Sequence, residues 1–393
     1  NNAKPAGAAV NVVVIGVDNL DASLKFYAGT LGLETAESRT WQGPDFERYW
    51  KLPAGSKARC AFLKHGADPV GCIQLMEFDA PNRKLVRPPH IRRATGLFNL
   101  NIYASDIKKD YERIKAQGFN FWSEPAHNKF GPVVGETLEA SFDAPDGVVI
   151  NLIQLLTEDP KTVIGRIVSF VSKYGRTPTG FTSVVTTAAT VSDMEKALAF
   201  YYGPLHMSLF IESVLQGAET NRALSLPEHA QTRSVIIQGD HEYGKIALAV
   251  PMNYEIPSLV ADAVPPNIGY LAQSFEVVDL DTVARGAAAD IDAAELLLSA
   301  SIDPLTTAPH GLALAPVTTQ QRSPTVLPAS FPRIPTLPVR LADLVGRDGL
   351  ATGVIRVEPA PDGSATQVCL YESREGRYWP LFNAPCRGSD PGA

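Results

Sequence analysis

Apolar and polar positions along the chain repeat one short pattern four times: a β-branched strand, an acidic turn, a helical stripe, then short strands parted by turn residues. The four segments are "NVVVIGVDNLDASLKFYAGTLGLE", "LFNLNIYASDIKKDYERIKAQGFNF", "TSVVTTAATVSDMEKALAFYYGPLHMS" and "YLAQSFEVVDLDTVARGAAADID". The first and third match without a gap, as do the second and fourth in outline, so the order is A, B, A, B. Leu20, Leu24, Tyr27 and Leu31 make one helical stripe, and Met194, Leu198 and Tyr201 its counterpart. Asp18 or Asn19, and Ser192 or Asp193, are the natural N-caps. Strands are expected at "RCAFLKH", "GCIQLMEF", "GETLEASF", "GVVINLIQLL", "TRSVIIQG" and "GKIALAVP", with turns at "DAPDG" and "APDG".

These units divide the chain into residues 1–156, a linker over 157–180 in which "TVIGRIVSFVSKY" forms a short helix, and residues 181–393. A proline-rich insertion at about 316–338 interrupts the last unit as a wrapped loop or a lid. The length of 393 residues agrees with two domains of roughly 150 to 200 residues. The net charge of −7 and the lack of a Lys/Arg block argue against nucleic acid as a partner. No apolar run reaches the roughly 18 residues that span a bilayer.

The small, polar start "NNAKPAGAA" is that of a mature chain after signal removal, which points to a periplasmic or secreted protein, with trimming of a cytoplasmic chain as the alternative. Cys60 and Cys72 flank a turn and fall opposite each other if their runs pair as a hairpin, a geometry that permits a disulfide, with four free thiols in a cytosolic protein as the alternative. Cys369 and Cys386 offer a second bridge that would staple the C-terminus.

The strand followed by "V-x-x-L-x-x-S-L-x-F-Y-x-x-x-L-G-L" and the closing "F-D-A-P-D-G-V-V-I-N-L" resemble the vicinal oxygen chelate superfamily of glyoxalases, bleomycin-resistance proteins and extradiol dioxygenases. The resemblance implies an α+β fold of four βαβββ modules, paired into two tandem half-barrels or cups. It places the working site in the first two modules and makes the second pair chiefly structural. It also implies a divalent ion held by a His or Gln in the first strand of each module and a Glu in the last. This chain has Val12, Gln74, Asn99 and Asn151 there, and Thr186, Ala247 and Ala272 in the second half, with the fourth position near Gln367 to Cys369. Neutral amides and hydrocarbons are poor ligands for zinc or iron, so no metal and no other cofactor is expected.

Alternation puts Asn99, Asn101 and Tyr103 on one strand face, with Gln74 and Asn151 beside them, so amides are expected to line the cup. Trp50, Trp122 and Arg48 are candidates for its wall. His90, Tyr103 and His127 are the candidates for proton transfer, with Glu124, Glu136 and Glu139 behind them. Three functions remain open: a metal-independent isomerase or lyase acting on a small, partly apolar oxygenated compound, a protein that binds or sequesters such a compound, and a structural subunit. A small-molecule partner is expected in the first two, and a homo-oligomer is left open.

Overall fold

The computed structural model describes residues 7–67 and 69–277, and the backbone of strands within 296–301, 311–316, 353–359, 366–374 and 377–380. Cys386 and nearly all of the proline-rich insertion lie outside the described residues, as does the side chain of Cys369.

Each of the first three modules begins with a strand and a capped helix. In module one, β1 (Val10–Gly16) leads to α1 (Leu20–Leu24), where the Asn19 side chain accepts from the Ala22 N–H. The helix continues as a π-helical turn over Lys25–Thr30. In module two, β5 (Gly96–Ala104) leads to α3 (Ile107–Ala116), capped by Asp106 through the Lys109 N–H. In module three, β10 (Phe181–Thr190) leads to α5 (Met194–Tyr202), capped by Asp193 through the Lys196 N–H. The caps satisfy N–H groups that would otherwise be orphaned, which fixes where each helix starts.

The remaining strands of module one are β2 (Glu34–Gln42), β3 (Lys57–Lys64) and β4 (Cys72–Phe78), with α2 (Pro44–Trp50) between β2 and β3. Module two adds β6 (Asn120–Phe121), β7 (Ala126–Lys129), β8 (Glu136–Asp143) and β9 (Val149–Leu155). The linker helix α4 (Val163–Tyr174) follows. Module three adds β11 (Ser208–Leu215), α6 (Ala218–Ala223), β12 (Thr232–Gln238) and β13 (Lys245–Pro251). The last module supplies β14 (Gly269–Phe275), β15 (Leu296–Ser301) and β16 (Gly311–Pro316).

Sheet pairing joins modules that are not neighbours in the first half. One sheet runs β15-β16-β14-β1-β4-β3-β2, and the other runs β11-β12-β13-β10-β5-β9-β8-β6, with β7 paired to β8. Module one therefore shares its sheet with module four, and module two with module three. The expectation that residues 1–156 close one cup by themselves is corrected here. In both sheets the first strands meet antiparallel, β1 with β14 and β5 with β10, while β1–β4, β5–β9 and β10–β13 are parallel. β14 departs from this rule, since its outer neighbour β16 is antiparallel. A separate three-stranded sheet holds β17 (Gly353–Pro359), β18 (Thr366–Arg374) and β19 (Arg377–Pro380).

The helix-bearing faces of the two large sheets share one central core. Val13, Ile15, Ile73 and Leu75 from the first sheet join Leu100, Ile102, Ile150, Leu152, Ile246 and Leu248 from the second, with Phe26, Tyr27 and Phe142 among them. Burying side chains of this size stabilises by roughly 1.5–3 kcal/mol each before entropy is subtracted. The sheets touch directly at Gly71, whose N–H donates to Val10 O and whose carbonyl accepts from the Val184 N–H. A Cβ there would stand 2.1 Å from Val184 O, and φ is +75°, so only glycine fits. With both helix-bearing faces turned inward, the opposite face of each sheet is left as the candidate cup.

Candidate functional site

The two cups differ in what fills them. In the first, Val12, Val14, Cys60, Phe62, Cys72, Met76 and Ala272 form a dry cluster, and α2 lowers Phe46 and Trp50 onto it against Phe78. Trp50 is 7% exposed and Gln74 5%. Trp50 is thus core packing of a closed cup. Arg48, on the same helix, pairs with Asp45. The Gln74 Nε2, Trp41 Nε1 and Trp50 Nε1 donors are buried there without a partner among the described residues.

The Cys60–Cys72 disulfide is excluded by register. Cys60 stands opposite Met76, while the β3–β4 ladder pairs Leu63 with Ile73. Cys72 therefore lies four positions along the ladder, roughly 13 Å at a strand's rise. A disulfide needs Cα atoms within about 7 Å.

The second cup is open in part, since Asn99, Asn101 and Thr186 are buried at 7%, 8% and 7% exposure. Along one row, Ser141 of β8 lies opposite Asn151 of β9, which aligns with Asn101 of β5, Thr186 of β10 and Lys245 of β13. Ser141, Asn151, Ile153, Ala188, Ala247 and Ala249 keep part of their surface in solvent. Asn99 donates to Asn101 Oδ1 at 3.0 Å. Asn151 donates from Nδ2 to Glu139 Oε2 at 3.0 Å and accepts from Ser141 Oγ at 3.1 Å. Thr137 Oγ1 donates to Glu139 Oε1 at 2.8 Å. Glu139 thus holds a carboxylate beside the position where the superfamily's motif carries its glutamate. Its signal in the sequence was "GETLEASF", whose alternation sets Glu139 and Ser141 on the Asn151 side.

The amides expected to converge are therefore split. Asn99, Asn101 and Asn151 share the open cup, whereas Gln74 belongs to the other sheet, because β4 pairs with β1 and not with module two. The positions that hold metal in relatives regroup as Val12, Gln74 and Ala272 in the closed cup, and Asn99, Asn151, Thr186 and Ala247 in the open one. Neither donor set suits a dication: the closed one offers one amide, the open one two amides and a hydroxyl. Among the described residues no three His, Cys, Asp or Glu side chains are grouped to hold an ion.

One end of the open cup is plugged. Helix α4, capped by Thr162, packs Ile167 and Val171 onto Tyr103, Tyr243 and Val185. Burial, aided by the Glu242 charge, pushes the Tyr103 phenol far above its ordinary range, so it cannot serve as a base near neutrality. Lys245, in the row on β13, is buried and bonded to Glu242 Oε1 at 2.7 Å. Burial pulls its ammonium down while the Glu242 carboxylate holds it up. His127 lies on β7 at the sheet's edge with its Nε2 2.7 Å from Glu136 Oε2, exposed. His90 is exposed in the linker between modules. Neither His127 nor His90 stands in the amide row, and Tyr103 lies one row on from it, under α4.

The other end is walled by aromatic residues. A bulge in the β5–β10 ladder places Leu97, not Phe98, against the central core. Phe98 meets Trp122, ring centroids 5.9 Å apart, beside Asn99. The Trp122 N–H donates to Ser141 O at 2.8 Å, and its indole Nε1 to Asp143 Oδ1 at 3.1 Å. Arg87 and Asn120 also donate to Asp143, at 2.6 and 3.1 Å. Burial opposes charge on Asp143, but Trp122, Arg87 and Asn120 outweigh it and hold the carboxyl below its ordinary value. A carboxyl lowered in the folded state lends stability above its unfolded pKa of about 3.9, and that stability is lost as pH falls through the lower folded value. Asp143→Asn is expected to cost about 1–3 kcal/mol at neutral pH and to remove this part of the acid sensitivity, read by denaturant melts between neutral and acid pH.

Two large sheets, each joined first strand to first strand between two modules, define a paired-module α+β fold. Residues 9–152 match the model of the Glyoxalase/Bleomycin resistance protein/Dioxygenase superfamily. The lactoylglutathione lyase GLX1 of Arabidopsis thaliana is 25% identical over 245 residues, 62% of this chain; the chain spans 66% of that protein's length. Among solved structures, glyoxalase I from Zea mays is 18% identical with a TM-score of 0.48, covering 76% of this chain and 85% of its own. A virulence protein from Salmonella typhimurium is 22% identical with a TM-score of 0.23, covering 37% and 96%. Among the described residues no helix is long and apolar enough to cross a membrane.

Proposed function

We propose that the open cup of modules two and three takes a small, partly apolar, oxygen-bearing compound and moves a proton on it without a metal, as an isomerase or lyase. The carrying observation is Glu139, held at 3.0 Å by Asn151 and at 2.8 Å by Thr137, with Glu139 and Asn151 half-buried beside the buried Asn99 and Asn101. Such a carboxylate is placed to take a proton from a carbon next to a carbonyl, while neighbouring Asn N–H groups bond the oxygen that gains charge. The name of the Arabidopsis relative, a lactoylglutathione lyase, supports lyase-type activity.

The experiment is deuterium exchange into dihydroxyacetone in D2O, followed by NMR, with protein treated with chelator and checked by elemental analysis. Exchange at an unchanged rate after metal removal is expected. Exchange that stops with chelation and returns with zinc or manganese contradicts the metal-free reading. A second reading, binding without turnover, is favoured by the two donors that already satisfy Glu139. It predicts saturable binding with no exchange.

A further inference from the structure

We propose that the aromatic end of the open cup is an anchor for a carboxylate on the molecule the cup holds, with Arg92 and Arg93 as the recognising groups. This rests on the reading of the cup as a small-molecule site. The two arginines stand side by side where the chain enters β5. The Arg92 guanidinium carbon lies 5.1 Å from the Trp122 ring centroid, and that of Arg93 4.4 Å from Phe98 and 5.5 Å from Trp122.

Neither has an acidic partner among the described residues, in a chain of net charge −7 that has acids to spare. Elsewhere Arg59, Arg83, Arg87, Arg113 and Arg233 each face a carboxylate. The Arg93 Nε donates to Leu224 O at 2.7 Å, which pins the guanidinium across to module three. Burial presses its pKa down to about 10, against the opposing effect of Tyr254, so the group stays charged at neutral pH. A half-buried cation without a counter-ion is costly, and aromatic faces offset only part of that cost.

A carboxylate completes the arrangement. It would meet two planar guanidinium forks, that of Arg93 fixed in advance by its bond to Leu224, with the rings of Trp122 and Phe98 for a flat body to lie against. The bond from Trp122 N–H to Ser141 O, and the adjacency of Phe98 to Asn99, place this wall at the border of the amide row.

Benzoate and benzamide, alike in shape and different in charge, test this on the full-length 15N-labelled chain. The side-chain amides of Asn99, Asn101 and Asn151 are followed by NMR at low salt. Benzoate is expected to bind at least tenfold more tightly than benzamide. Arg92→Gln, which removes no hydrogen bond among the described residues, should cut that advantage several-fold, and Arg93→Gln added to it should erase it in a chain whose 15N spectrum still shows it folded. Equal affinity for the two probes, or an advantage that survives both substitutions, overturns the anchor while leaving the cup as a site. If neither probe shifts the amides, the reading of the cup falls and the anchor with it.

Discussion

Glu139→Gln is expected to lower turnover in the open cup by about 10²–10⁴-fold, the usual loss when a positioned general base is removed. Glutamine keeps the length of the side chain and can still accept from Asn151 through its carbonyl oxygen. Fold and affinity should therefore change little, and the loss should fall on the chemical step. The same deuterium-exchange measurement reads it. An E139Q protein that exchanges at the parent rate places the base elsewhere, whereas a protein that loses binding as well as exchange makes Glu139 a structural strut of the amide row.

The second large effect concerns how the modules pair. A fragment of residues 1–156 contains both strands that need distant partners: β1 loses β14 and β5 loses β10. Each loss bares a long central strand edge, with rows of N–H and C=O groups that would have been ladder bonds. The fragment is expected to self-associate or aggregate, read by sedimentation or light scattering, and to recover solubility when the complementary fragment is supplied. A stable monomer with a cooperative melt would contradict the pairing of module one with four and two with three.

The strand, cap and stripe of each module were legible because they are local. Asn19, Asp106 and Asp193 cap the helices within three residues of their partners, and the alternation of "LFNLNIY" shows which side chains share a face. Pairing between modules was not legible. It joins residues as far apart as Val13 and Gln273, and a β-branched strand edge has the same sequence whichever copy it meets. That single fact moved Gln74 and Trp50 away from Asn99 and Asn151.

Bulges are equally hidden from alternation. Phe98 sits where the pattern puts it in the core, yet an unpaired residue in the ladder turns it to Trp122 and Arg93. Glu139 was in view, since it shares a face with Asn151. Its weight came only from the 3.0 Å contact, which no spacing in the sequence reveals. The missing metal ligands were legible at each position taken alone, and regrouping the positions between cups did not change their chemistry.

The central claim is that the cup of modules two and three is the working site and the other is packed core. Side-chain amide NMR during titration with dihydroxyacetone tests it most directly, because the two cups report through different residues. The Nδ2 signals of Asn99, Asn101 and Asn151 are expected to shift together and saturate, with Gln74 Nε2 unmoved. A saturating shift of Gln74 with the three asparagines silent would contradict it.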